Sequence, residues 1–321
     1  MENEPRTLME AIRYFADADR TLDLMVEMRW PTGVHCPTCG RTDVRFIATR
    51  RMWECKEKHP RKQFSAKVGT IFEDSPLPLD KWFVAVWSIA NCKNGISSYE
   101  LGRAIGVTQK SAWHMLHRIR LAMEVGSFDK FGGDVEGDET YLGGKVDNMH
   151  ASKREGRVSG RGSSAGNKAI VAGLLRRTSG EAHSRVRVRQ IKDANRKNLQ
   201  AFVRETVEAG ARVLTDSWAA YRGLDHDYTH EVVNHAHEYV RGTIHTNGIE
   251  NFWSLLKRSI KGTYVSVEPF HLGRYLSEQS FRFNERKDVD WGRFRKVLGS
   301  VVGRRLTYRE LTGYAASEAA A

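Results

Sequence analysis

Apolar residues recur at helical spacing near the start of the chain. Leu8, Ile12 and Phe15, then Leu22, Met25 and Met28, predict one or two short helices over residues 7–30. "WPTGVHCPTCG" interrupts that rhythm with two prolines and two glycines, and the strand-like pieces "VRFIA" and "RMWEC" follow within residues 34–72. The run "KWFVAVWSIANC" is apolar at 82, 83, 86, 87 and 90, a helix with a broad buried stripe that Asp80 is expected to cap. In "SSYELGRAIGVTQKSAWHMLHRIRLAM", Ser97 and Glu100 have capping-box spacing. Gly106 supplies a turn after Ile105, and Thr108 caps a second helix to about Met123.

"VGSFDKFGG" reads as a linker, and from residue 134 the texture changes to alternation. "DVEGDETYL", "AIVAGLLRR" and "RVRVRQI" are strand candidates, "ANRKNLQAFVRETVEAG" is helical, and "ARVLTD" and "HEVVNH" are two more strands. The stretch His245–Arg258, "HTNGIENFWSLLKR", is an amphipathic helix. Three strands, a helix, two strands and a helix predict a mixed α/β sheet. Between the first two strands lies "SKREGRVSGRGSSAGNK", basic and rich in Gly and Ser, which is expected to be a mobile loop. The tail "AASEAAA" is expected to be disordered or a frayed helix end.

Composition narrows the class. A chain of 321 residues with 40% apolar content is too long for one small core, so two or three units are expected. There is no run of 18 apolar residues to cross a membrane and no signal-peptide core near the start, so a cytoplasmic protein is expected. The net charge of +12 favours a polyanionic partner, most simply nucleic acid. A basic housekeeping enzyme is the plainer alternative.

Four cysteines stand at 36, 39, 55 and 92. Cys36 and Cys39 have the C-x-x-C spacing of a zinc knuckle, and Cys55 is followed by His59 at C-x3-H. Thiolates and imidazole in this pattern suit a closed tetrahedral Zn²⁺ site. The 34–72 fragment is too small to bury a core alone, and metal binding supplies roughly 10–16 kcal/mol in such modules. His59 is the leading fourth ligand, with His35 or no fourth protein ligand as alternatives. A redox C-x-x-C lacks its usual β-α-β context here. Cys92 lies in an apolar helix stripe and reads as a small buried hydrophobe.

Residues 97–123 have the length and glycine turn of a helix-turn-helix. Gln109, Lys110, His114, His117, Arg118 and Arg120 decorate the second helix, opposite Trp113, Leu116, Ile119 and Met123. That basic face could enter a major groove; the plain alternative is a helical hairpin with a solvated basic face.

Three carboxylates fall where an α/β sheet converges: Asp138 in the first strand, Asp216 at the end of "RVLTD", and Glu250 in the first turn of the later helix. Asp134, Glu136 and Asp138 share one strand face, and Glu139 takes the other. Converging carboxylates repel unless cations sit between them. Mg²⁺ is held by few carboxylates plus phosphate oxygens, and a pair of such ions clamps both oxygens of a phosphodiester. Taken singly, Asp216 could be a cap and Glu250 a helix-dipole acid.

"GDETYLGGK", "VLTDSWAAY", "HTNGIENFWSLLKRSIKGTY", "FRFNERK" and "LTYRELTG", with "CPTCG" through "QFSAKVGTIF", together resemble the IS1595 (ISXO2-like) family of DDE insertion-sequence transposases. The resemblance covers roughly residues 20–313 in order. It implies a zinc ribbon and an RNase H-like catalytic sheet. It also implies Asp138, Asp216 and Glu250 as catalytic acids binding Mg²⁺ (or Mn²⁺), and Lys257 as their basic helper. Some members carry Asn in the third acidic position, and Asn247 lies one turn before Glu250. An anionic oxygen binds Mg²⁺ better than an amide, which favours Glu250.

The expected organisation is an N-terminal helical segment (1–30), a zinc ribbon (31–75) and a helix-turn-helix region (76–125). An RNase H-like catalytic domain (130–290) and a C-terminal extension (291–321) follow. The expected function is strand cleavage and transfer at the ends of an insertion sequence. The expected partner is double-stranded DNA, terminal repeats and target, bound by a homodimer through Gln109, Lys110, His114, Arg118, Arg120 and Arg258. The alternatives are a nuclease or resolvase without strand transfer, and a non-catalytic DNA-binding regulator.

Overall fold

The structure is a computed structural model describing residues 4–124, 129–143, 168–180, 182–233 and 244–313. The basic Gly/Ser-rich stretch up to residue 167, the alanine-rich tail, the start of the 125–133 linker (125–128) and the end of "HEVVNH" lie outside the described residues. No helix among the described residues is long and apolar enough to cross a membrane. The chain divides into two compact units, 1–125 with 288–321, and 126–287.

The first unit begins with α1 (Leu8–Phe15) and α2 (Ala18–Arg29), capped by the side chains of Thr7 and Asp17. A three-stranded antiparallel sheet follows: β1 (Val44–Ile47), β2 (Met52–Cys55) and β3 (Gln63–Phe64), in that order. Next comes α3 (Leu79–Asn91), in which Trp82, Phe83, Val86, Trp87 and Ile89 are all buried. Apolar around most of its girth, α3 is the unit's central helix. Its N-cap is Pro78 rather than Asp80, which lies in the first turn.

Helices α4 (Ser98–Ile105) and α5 (Gln109–Met123) follow, with both halves of the Ser97/Glu100 capping box formed and Gly106 in the left-handed region that ends α4. The C-terminal segment, expected to be an extension, instead packs into this unit. Its helices are α9 (Asp290–Gly299) and α10 (Tyr308–Thr312). Phe294 of α9 lies 5.0 Å from Phe15 and 5.7 Å from Phe83, between ring centroids. Burying each such side chain contributes roughly 1.5–3 kcal/mol.

The second unit is a five-stranded sheet in the order β6-β5-β4-β7-β8. These strands are β4 (Asp134–Leu142), β5 (Ala169–Arg176), β6 (Arg185–Ile191), β7 (Arg212–Asp216) and β8 (Thr229–Val233). The first three form an antiparallel meander, while β7 runs parallel to β4 and β8 parallel to β7. Between β6 and β7, α6 (Arg196–Thr206) packs Leu199, Phe202 and Val203 on one face with Val135, Leu174 and Val213. The helix is shorter than its sequence pattern, because Asn195 caps it and Val207 turns extended. The other face carries α7 (Asn247–Arg258) and α8 (Leu272–Asn284), with Ile249, Phe252, Trp253 and Leu276 packed against Val171, Leu175 and Val186.

Candidate active site and metal centre

Gly137 of β4 stands beside Thr215 of β7, so the next residues along these parallel strands are Asp138 and Asp216. Val135 and Val213 face α6, and strand alternation therefore turns Glu136, Asp138 and Asp216 toward the α7 layer. Glu250 stands in the first turn of α7, with Asn247 exposed one turn before it. Burial pushes the Asp138 carboxyl up to about 6, and the charges of Asp216 and Glu250 push the same way, against hydrogen bonds from the Glu139 N–H and the Trp253 indole. Both acids are thus close enough to act on Asp138 electrostatically. Asp216 Oδ1 accepts the Trp218 N–H at 3.0 Å, and Glu250 Oε1 accepts the Thr246 hydroxyl at 2.8 Å. On the opposite face burial drives the Glu139 carboxyl up to about 7, despite its hydrogen bond from the Tyr221 hydroxyl. Lys257, partly buried, and Arg258, exposed, lie in the last turn of α7.

Glu136 plays a part that its sequence position did not reveal. It is 1% exposed, and its Oε2 accepts the Ile249 N–H at 2.8 Å. Its Oε1 accepts from Arg177 Nε at 2.7 Å, and Arg177 Nη2 donates to the His245 carbonyl at 2.6 Å. A carboxylate from the sheet thus serves the positive end of α7, the role that the sequence offered to Glu250. Gly248 allows this approach, since a Cβ there would stand 2.7 Å from Glu136 Oε2. The one sequence signal was the placing of Glu136 two residues before Asp138, on the same face.

In the first unit, one ligand atom from each of Cys36, Cys39, Cys55 and His59 lies within 4.8 Å of the others. Cys39 Sγ and Cys55 Sγ are 3.6 Å apart, and Cys36 Sγ is 3.4 Å from His59 Nε2. Zn–S bonds of about 2.3 Å at tetrahedral angles call for a sulfur separation of about 3.8 Å. Soft thiolates with an imidazole fit Zn²⁺, whereas the carboxylate oxygens at the sheet fit Mg²⁺ or Mn²⁺. Among the described residues, no set of three or more acids closes to 4.8 Å as the cysteine cluster does. Burial raises the Cys36 thiol, but the N–H groups of Cys39 and Thr38, together with hydrogen bonds from the Cys39 and Cys55 side chains, bring it down to about 7, nearer the thiolate that a metal needs. His35 packs its ring against Trp30 instead.

Residues 130–284 match the ISXO2-like transposase domain, and residues 17–59 match the transposase zinc-ribbon domain. The chain is also 31% identical, over 260 residues, to an uncharacterized protein in transposable element ISH50 of Halobacterium salinarum, covering 78% of this chain and 85% of that one. The chain belongs to the IS1595 (ISXO2-like) transposase family. Its zinc-ribbon domain includes all four residues of the Cys₃His cluster, which supports Zn²⁺ as a resident metal.

In this transposase-family chain, the basic face assigned to α5 needs correction. Arg118 and Arg120 are only 6% and 1% exposed. Arg118 donates to the carbonyls of Leu306 at 2.9 Å, Ile71 at 3.0 Å and Glu73 at 2.8 Å, so it ties three segments together inside the unit. His114 is half-buried, with Nε2 3.4 Å from the Leu306 carbonyl. The C-terminal segment covers this side of α5, and it stands too far along the sequence for helical periodicity to report. Gln109 and Lys110 stay near the surface in the first turn. Gln109 Nε2 donates to Ser98 Oγ at 2.8 Å, and Lys110 Nζ lies 4.8 Å from the centre of the Tyr308 ring.

Proposed function

We propose that this transposase cleaves DNA strands at the ends of an insertion sequence and joins them to a target, on an RNase H-like sheet whose Asp138, Asp216 and Glu250 would hold Mg²⁺ or Mn²⁺. The observation that carries this reading is the meeting of Asp138 and Asp216 on adjacent parallel strands, with the Glu250 charge acting on the same carboxyl. The strand order, an antiparallel meander flanked by two parallel strands, supports the RNase H-like assignment. When bound, the cations supply activation of the attacking oxygen and stabilisation of the leaving one.

The chain's own residues do the rest. Asp138 is held by the Trp253 indole, and Asp216 is fixed by its turn with Trp218. Lys257 lies two turns beyond Glu250 on the same helix face, suited to a phosphate beside the cleaved bond. Arg258 adds positive charge at the exposed end of α7. Water, then a liberated 3′-hydroxyl, is the nucleophile, so no protein nucleophile is required.

The zinc ribbon and the α4–α5 pair are the modules proposed to grip the terminal repeats. In this reading Gln109 and Lys110, in the first turn of α5, reach bases or phosphates, since the start of a recognition helix is the part that meets base edges. Chemistry at two element ends calls for a homodimer on DNA.

The test is Mg²⁺-dependent nicking and joining of DNA carrying the element's own ends, with Asp216→Asn and Glu250→Gln beside the parent. Both variants should keep DNA binding and lose cleavage by orders of magnitude. Parental nicking by Asp216→Asn refutes the acid assignment, and nicking without joined products points to a nuclease.

A further inference from the structure

Trp253 is a core residue by burial, 4% exposed, yet its polar edge does not end in the core. Its Nε1–H donates to Asp138 Oδ2 at 2.9 Å. The ring reaches that carboxylate because β5 has no side chain in its path. Gly173 is the register partner of Asp138 across the β4–β5 ladder. A Cβ on Gly173 would stand 2.5 Å and 2.6 Å from two carbons of the indole and 3.0 Å from Ile249 Cδ1. Such contacts require the ring or the strand to move. Gly173, Trp253 and Asp138 therefore form one arrangement: a bare patch of strand, an indole laid across it, and a carboxylate pinned at the indole's N–H.

A buried indole N–H needs an acceptor, and the backbone carbonyls of a ladder are engaged with neighbouring strands. Packing alone could be met by Phe, which fills much of the same space without a donor. The donor matters because a carboxylate that binds a cation must present a defined oxygen, and a partner on its other oxygen restricts its rotation.

Resting on the metal-site reading above, we infer that Trp253 is a positioning residue that orients Asp138 for a divalent cation, and that Gly173 is the slot that makes this possible. The indole holds Asp138 Oδ2, and with the Glu139 N–H it restricts the rotation of the carboxylate that would face the cation.

The experiment is a titration of zinc-loaded full-length protein with Mn²⁺, free ion read by electron paramagnetic resonance, for the parent, Trp253→Phe, Gly173→Ala and Asp138→Asn. Melting temperature and DNA gel shift are measured on the same preparations. Trp253→Phe should weaken Mn²⁺ binding about tenfold, the lower range for loss of a ligand's supporting hydrogen bond. The Mn²⁺ concentration for half-maximal nicking should rise by the same factor, with parental melting temperature and DNA affinity. Gly173→Ala keeps the indole but displaces it, and should weaken Mn²⁺ binding in the same direction, which covers the case in which Trp253→Phe does not fold. Parental Mn²⁺ affinity in Trp253→Phe overturns the inference, as does a loss of affinity that only accompanies a lowered melting temperature. If Asp138→Asn also binds Mn²⁺ as the parent does, the metal-site reading itself has failed.

Discussion

Replacing Arg118 by Met separates two roles for a basic residue on α5. The guanidinium lies almost wholly inside the first unit and donates to three carbonyls, of Leu306, Ile71 and Glu73, at 2.8–3.0 Å. Met matches much of the stem but leaves those carbonyls without this donor. Each lost partner costs roughly 1–3 kcal/mol when the orphan stays buried. Removing the buried charge returns part of its desolvation cost, so the lower end applies, about 3 kcal/mol in all. At about 2–4 °C per kcal/mol for a unit of this size, the melting transition should fall by roughly 6–12 °C. Differential scanning calorimetry reads that shift. DNA affinity measured across salt concentrations, at a temperature where both proteins are folded, should keep its slope. A phosphate-contacting Arg118 gives the reverse pattern: an unchanged melting temperature and a slope shallower by nearly one. That outcome would falsify the structural role argued here.

Two further tests address the first unit. Elemental analysis of protein purified without chelator should give about one zinc per chain, as one four-ligand site requires; Cys55→Ser should lose the metal and the folding of the ribbon with it, and a folded, zinc-free Cys55→Ser protein refutes the centre. His114 has its pKa lowered by burial first and by the Arg118 charge second, so the unfolded chain takes up the proton more readily. The stability is present above the ordinary imidazole value and is lost as pH falls through the lower folded one. Melting curves between pH 7.5 and 5.5 should therefore drop less for His114→Gln than for the parent, and parallel curves refute the argument.

Local chemistry was legible in the sequence wherever the determinants are close along the chain. The Ser97/Glu100 capping box, the Gly106 turn and the C-x-x-C knuckle depend on spacings of a few residues, and the described structure contains each of them. The order of strands and helices from 134 to 258 was also readable, because alternation and helical periodicity each report a buried face. They do not report what covers that face. Arg118 looks like a solvated base by periodicity, and it is buried by two distant segments, the carbonyls of Ile71 and Glu73 and the return of residues 288–313 to the first unit. Glu136 accepts a first-turn N–H of α7 only because residue 249 is folded back on β4, 113 positions further on. The seat of Trp253 on Gly173 likewise joins an inter-strand register to a helix face, and neither appears in a local pattern. Spacing along the chain fixed which side chains could act. Non-local packing, which alone sets desolvation and distance, decided which carboxylates meet and which arginines meet carbonyls instead of solvent.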